Sequence, residues 1–508
     1  MEDSVTDTAK TRILSSIEEK IINDNHQEGL LSPSILRREL KAGDDCDVRD
    51  GWFVTVDGGT GTLLEDLYSV KFETNLWSSE LIIGPEEYQD ENDGVEGEVV
   101  FYHKDGEEVL LDLYQGWIDA GSQLILTTTY QSTTEKFFNL FKSMVTRRTK
   151  QLRKDSIIID RTEELLMVEK RILERVSNCL NRLIELPYEL IRSEKNRGRD
   201  VRLGLSIGPL SSTFEPVSKE YSLFRFDDYP RPFYNDQTRE FNREALEEFY
   251  LDRLRGFENS IDKVDLIVFE TVPINSFEAL SIQSSVSKFF KTQDHKNIKK
   301  SFDDDDCSEE WRGLRRKPFV VSFVIPNLID EQDEFERLSI ELIEIFERLL
   351  NPRNRTPIIN GIEGDEEDLM VPIGVGLNCT KLEQISRFYK VFRKHQPRNR
   401  HSTSTAGPRD SNWNESVRFD CGLWICPDGL NRLSNYDPVS KTWKIQTNRK
   451  DDDKVLERDL VTDHEDWAKE LVLIGQKFKE FFDGKVWLGG CCKTGFNHIS
   501  QLNCLAHG

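Results

Sequence analysis

Eight short runs of β-branched and apolar residues recur along the chain, each bounded by Gly, Pro, Asn or acidic residues, and each reads as a strand buried on both faces. They are Trp52 to Asp57, Gln123 to Thr127, Val201 to Ser206, Asp265 to Phe269, Pro318 to Phe323, Ile373 to Asn378, Cys421 to Cys426 and Lys485 to Gly490. Helical periodicity fills many of the intervals. From Thr162 to Ser193 the apolar positions Leu165, Val168, Ile172, Val176, Leu180 and Leu183 fall three or four apart, and a second such stretch runs from Phe241 to Ser260. Eight strands alternating with helices predict an α/β fold of the (β/α)8 TIM-type barrel class, with a doubly wound open sheet as the alternative.

Polar stretches lengthen this pattern. Acidic and loop-forming residues collect near 85–108, 291–317, 351–368, 395–414 and 449–458, and the second of these carries four consecutive aspartates, Asp303 to Asp306. They read as solvated, mostly acidic insertions, with partner docking as the functional alternative. Residues 1–45 form an N-terminal extension with a short amphipathic helix predicted by Ile13, Ile17 and Ile21, and 46–508 form the barrel.

Composition agrees with one folded body carrying polar insertions. Hydrophobic residues make up 37% and charged residues 31%, so a sizeable core coexists with much solvated surface. The net charge of −24 repels a phosphate backbone and argues against a nucleic-acid partner. The first twenty residues are acidic where a secretory or mitochondrial signal is basic, and no run of eighteen apolar residues exists, so the expectation is a cytoplasmic protein that does not enter the membrane.

Nine cysteines in such a chain favour reduced thiols or metal ligands over a disulfide framework. Cys379 directly follows the sixth strand, and Cys491 and Cys492 follow the eighth. In a (β/α)8 barrel all strand C-termini open onto one face, so these thiols can converge, although two strands separated by a third lie about 10 Å apart. Sulfur is a soft ligand, and three thiolates leave a tetrahedral zinc ion one free position for substrate. The alternative is that the Cys pair is simply buried packing. Gly489 and Gly490 favour the metal reading, since they remove side chains where the backbone turns and a metal approaches.

The residues around these positions resemble the signatures of the homocysteine S-methyltransferase family, in order, from Val54 to Leu502. VDGGTGTLLE (Val56 to Glu65), LWSSELI (Leu76 to Ile82), AGSQLILTTTYQS (Ala120 to Ser132), SIGP (Ser206 to Pro209), DLIVFETVP (Asp265 to Pro273), VGLNCTK (Val375 to Lys381) and GGCCKT (Gly489 to Thr494) carry the likeness. The resemblance implies zinc held by Cys379, Cys491 and Cys492, and methyl transfer to the sulfur of homocysteine, giving methionine. It implies Asp57 and Glu270 as partners of the amino acid, with helix capping by Asp57 and an orienting role for Glu270 as the alternatives. The LWS segment, Leu76-Trp77-Ser78, is similar to the branch using a methyl-sulfonium donor, S-methylmethionine or S-adenosylmethionine. A donor cation could lie over Trp77 or Tyr130, both of which also suit packing. Asn378 is expected to orient neighbours rather than bind metal, and His498 to lie on the last helix. The glycines from Gly58 to Gly61 lack the lysine and spacing of a nucleotide loop.

Four segments depart from the family pattern. They are Thr127 to Gln131, Ser218 to Tyr221, Cys426-Pro427-Asp428, and Phe496 where a proline is usual. All bear more on substrate than on metal. Two further readings therefore stand beside the enzyme: a weak or inactive zinc-binding barrel with a regulatory or interaction role, and a selenocysteine methyltransferase.

Overall fold

The computed structural model describes residues 52–72, 74–83, 105–152, 161–214, 229–235, 237, 240–303, 316–326, 332–351, 369–395, 418–430, 434–437, 442–445 and 463–508. The N-terminal extension with its proposed helix and the insertion at 449–458 lie outside them, as does nearly all of 85–108, 351–368 and 395–414.

All eight expected strands form. They are β1 Phe53–Thr55, β2 Leu124–Leu126, β3 Arg202–Ile207, β4 Leu266–Val272, β5 Phe319–Phe323, β6 Gly374–Asn378, β7 Gly422–Cys426 and β8 Val486–Leu488. Every neighbouring pair is parallel, and the order around the sheet is sequential from β2 to β8, with β8 then pairing β1. A parallel bridge between Val56 and Leu124 joins β1 to β2 and closes the circle. The chain is a (β/α)8 barrel, and the open-sheet alternative is excluded by that closure.

The helices follow the periodicity. The stretch expected from Thr162 to Ser193 is a helix over Arg161–Ile191, and the one expected from Phe241 to Ser260 is Arg243–Gly256, capped by Asn242 accepting from the Ala245 amide. The helix after β4, Ser276–Asp303, continues into residues expected to belong to the 291–317 insertion. Glu107 and Glu108, assigned to the first insertion, instead occupy the opening turn of the Gly106–Asp119 helix, where the partial positive charge of the helix end suits carboxylates. Among the described residues no helix is long and apolar enough to cross a membrane.

Two apolar layers result. A large outer core lies between strands and helices, while the barrel interior is filled by Val56, Leu124, Leu266, Val268, Val320, Trp424, Cys426 and Trp487. The two indoles lie 6.2 Å apart between ring centres and plug the barrel beneath its C-terminal mouth. Trp424 is 1% exposed, and its indole N–H is buried with no hydrogen-bond partner among the described residues. Replacing Trp424 by Ala is expected to cost about 3–5 kcal/mol through the cavity it leaves. Trp424→Phe, which also removes the unpartnered donor, should cost much less. Urea unfolding midpoints of the two variants check this; equal losses would show that the indole's volume is not what fills the barrel.

Candidate functional site

At the C-terminal mouth the three cysteines of the sequence analysis come together. Cys379 sits one residue beyond β6 and Cys491 three beyond β8, with β7 between those strands. Their Cα atoms are nevertheless only 5.3 Å apart, not the two strand spacings expected. The reason is a shared anchor at the end of β7. The Cys379 amide donates to the Cys426 carbonyl at 3.0 Å, and the Cys491 amide to the Pro427 carbonyl at 2.7 Å. Both loops thus fold inward over the end of β7. The turn at Cys379 needs a left-handed backbone, with φ of 48°.

The Cys379 and Cys491 sulfurs are joined as a disulfide, which the sequence reading did not anticipate. The pairing falls entirely within the candidate ligand set, because folding both loops over one strand end leaves the two thiols facing each other. With Cys492 the three sulfurs lie within 4.8 Å of one another. Thiolates around a tetrahedral zinc ion, with Zn–S about 2.3 Å, are separated by about 3.8 Å. The donor set and its spacing therefore fit zinc once Cys379 and Cys491 are reduced. Cys379 is buried, and Cys491 and Cys492 are half-buried at the rim.

The Cys-Cys turn is locked from several sides. The Thr494 hydroxyl donates to the Cys491 carbonyl at 2.6 Å, and the Gly59 amide donates to that hydroxyl oxygen at 2.9 Å. The Lys493 amide donates to Thr62, and its ammonium pairs with both oxygens of Asp66 at 2.7 and 2.8 Å. A side chain on Gly490 would strike Thr494, and one on Gly489 would strike Val56. These glycines therefore make room for protein packing at the turn.

Beneath the sulfurs lie two carboxylates. Asp57 is 1% exposed, and its Oδ2 accepts from the Leu126 amide at 2.7 Å. That bond extends the ladder between β1 and β2. Asp57 does not cap the following helix, whose cap position is Gly59 with no side-chain bond. Glu270, half-buried, accepts a short hydrogen bond from the Ser206 hydroxyl and a longer one, 3.4 Å, from the Asn378 side chain. It is presented by a register shift in β4 between Phe269 and Val272, where Thr271 takes a φ of 60°. Such a bulge redirects the side chains around it.

Asn378 connects this carboxylate to the sulfurs. Its Nδ2 donates to the Thr271 hydroxyl at 2.7 Å and reaches the Cys379 sulfur at 3.5 Å, while its Oδ1 accepts from the Thr271 amide at 2.8 Å. It thus orients neighbours, as expected. Burial pushes the Asp57 carboxyl well up, aided by the nearby Glu270 charge, and pushes Glu270 up to about 7 despite the Ser206 hydrogen bond. The thiol of Cys426, inside the barrel, is also driven upward by burial and by these two acids, so it stays neutral.

Trp77, in the segment between β1 and β2, and Tyr130, in the loop after β2, meet edge to face at 6.3 Å, both half-buried. His498 lies on the last helix, Phe496–His507, where its Nδ1 accepts from the Gly495 amide, away from the sulfurs. Phe496 opens that helix and packs its ring on Trp117 at 4.6 Å. The segment Ser218 to Tyr221 lies outside the described residues.

A family model for homocysteine S-methyltransferase matches residues 54–505. The chain belongs to this family. Structural matches include the Escherichia coli homocysteine methyltransferase MmuM in metallated form, 13% identical with a TM-score of 0.43, covering 90% of this chain and 97% of that one. The oxidised form of the same enzyme matches at 13% identity and a TM-score of 0.46, with the same coverage. No curated protein sequence matches the chain. Family membership is thus carried by the sequence motifs, and the site is where those motifs meet.

Sequence reasoning gave no role to Ser206, Thr271, Thr494 or Lys493. Ser206 and Thr271 lie inside quoted motifs, next to Ile207 and Glu270, so their positions at strand ends were a usable signal. The Lys493–Asp66 pair spans 427 residues and leaves no local trace.

The raised carboxyl of Glu270 has a measurable sign. An acid whose folded pKa exceeds its unfolded value, about 4.3, stabilises the fold most at low pH, and this contribution is lost as pH rises through about 7. Glu270→Gln is expected to flatten the decline in unfolding free energy between those two pH values. Denaturant titrations of metal-free protein across that window check it; an unchanged slope would place the Glu270 pKa near that of an ordinary glutamate.

Proposed function

We propose that this chain transfers a methyl group from a sulfonium donor, S-methylmethionine or S-adenosylmethionine, to the sulfur of L-homocysteine, giving methionine. The observation that carries this reading is the convergence of Cys379, Cys491 and Cys492, beside Asp57 and Glu270, at the mouth of a barrel of this family. Zinc held by the three thiolates would supply the positive charge that keeps the homocysteine sulfur deprotonated at neutral pH.

The chain's own residues do the rest. Glu270, held by Ser206 and Asn378, offers an oxygen to the homocysteine ammonium. Asp57, deeper and fixed by the Leu126 amide, adds a second carboxyl oxygen behind it. A bound ammonium favours ionised Glu270, so substrate binding and loss of the Glu270 proton reinforce each other. Trp77 and Tyr130 face the donor cation with their rings.

In the transfer, a thiolate lone pair forms the new carbon–sulfur bond while the electrons of the donor's carbon–sulfur bond pass to the departing sulfur. That sulfur leaves as a neutral thioether and needs no proton. Holding thiolate and methyl carbon in line in a closed mouth is then the main catalytic demand.

With reduced protein, we expect methionine formation with at least one of the two donors and about one zinc per chain, with three cysteine ligands. Cys491→Ser is expected to lose most of the zinc and at least a hundredfold in rate. Mass spectrometric detection of methionine alongside elemental analysis checks both. Fully zinc-loaded protein that makes no methionine from either donor would favour the regulatory barrel, and faster turnover on selenocysteine would reassign the acceptor.

A further inference from the structure

Arg253, on the helix Arg243–Gly256, is 2% exposed, and among the described residues no carboxylate forms an ion pair with it. Its two terminal nitrogens donate to main-chain oxygens, while Nε is buried with no hydrogen-bond partner among the described residues. Nη1 donates to the Gly208 carbonyl, and Nη2 to the Tyr130 carbonyl at 2.7 Å and more weakly to Thr129 at 3.3 Å. Those carbonyls belong to the loops leaving β2 and β3, so one planar group ties two rims of the mouth together. Burial pulls the Arg253 pKa down to about 10, which still leaves it charged at neutral pH.

A buried cation without a carboxylate partner is costly, and this one is set against the Tyr130 carbonyl. The Tyr130 carbonyl accepts from the Gly208 amide as well, at 3.0 Å. Gly208 is itself constrained: a side chain there would lie 2.7 Å from the Tyr130 carbonyl and 2.8 Å from its ring. Arg253 from behind and Gly208 from the side therefore define the pose in which Tyr130 meets Trp77. Charged donors make stronger bonds to carbonyls than neutral ones, and the guanidinium fork reaches two rims that a single ammonium cannot.

We propose that Arg253 is a positioning residue for the methyl donor, setting Tyr130 against Trp77 so that the two rings receive the sulfonium cation. The proposal rests on the function given above and names the residue outside the mouth that selects for its donor. Arg253 touches neither reacting atom; it acts through the Tyr130 backbone.

The test uses the reduced, zinc-loaded full chain, with calorimetric titration of S-methylmethionine, trimethylsulfonium and homocysteine. Arg253→Lys is expected to weaken binding of both sulfonium cations at least tenfold while leaving homocysteine affinity and zinc content within twofold of the parent. A merely structural role would move homocysteine and zinc together with the donor. Unchanged sulfonium affinity in Arg253→Lys overturns the proposal, and so does a gain, which would mean that the guanidinium repels the donor. Gly208→Ala displaces Tyr130 with Arg253 intact, is expected to give the same selective loss, and carries the test if Arg253→Lys does not fold. A parent protein that binds neither of these, nor S-adenosylmethionine in the same titration, overturns the sulfonium reading itself, an outcome distinct from equal binding by parent and variant.

Discussion

Two adjacent carbonyls at the end of β7 organise this site. The oxygens of Cys426 and Pro427 accept the amides of Cys379 and Cys491 and draw two loops across the strand that separates them. Without those two bonds the thiols would stand on strands two positions apart, beyond the span of one ion. The left-handed backbone at Cys379 and the bonds of Thr494 and Lys493 follow from the same demand, since each bends or pins a loop that must reach inward. Each of those hydrogen bonds is modest singly; together they hold the sulfurs in place before any ion arrives.

The electrostatics of the mouth are set by burial acting on acids. Asp57, Glu270 and the Cys426 thiol all have their neutral forms favoured by burial; Glu270 adds to the shift at Asp57, and both carboxylates add to the shift at Cys426. A pocket of this kind is short of positive charge. A substrate ammonium and a sulfonium both supply it, whereas an anionic ligand would add to the repulsion.

The barrel was legible in the sequence because buried parallel strands leave continuous apolar runs, and all eight lie where those runs lie. The three cysteines were legible too, since each ends a strand whose side of the barrel is fixed by topology. What the sequence did not reveal depends on contacts between distant segments. The Asp57 carboxylate completes a sheet ladder with Leu126, the space at Gly490 belongs to Thr494, and Lys493 pairs with Asp66 across the closing seam. The disulfide between Cys379 and Cys491 depends likewise on two loops meeting over β7. Periodicity also misplaced the edges of two insertions, because charged residues at Glu107 and from Lys291 to Asp303 are as compatible with an exposed helix as with a loop.

The seam between β8 and β1 has a consequence for the order in which the protein is built. Cys491 and Cys492 reach the site only when β8 has docked between β7 and β1, and the turn that carries them is pinned to Gly59, Thr62 and Asp66 from the opposite end of the barrel. On a ribosome, the first ligand would emerge more than a hundred residues before the other two. Until β8 has emerged a nascent chain offers Cys379 alone, and an open circle does not hold the three thiols together. Under the zinc proposal, capture of the ion would therefore report that the barrel has closed, and metal loading would be a last step of maturation instead of a nucleus for folding.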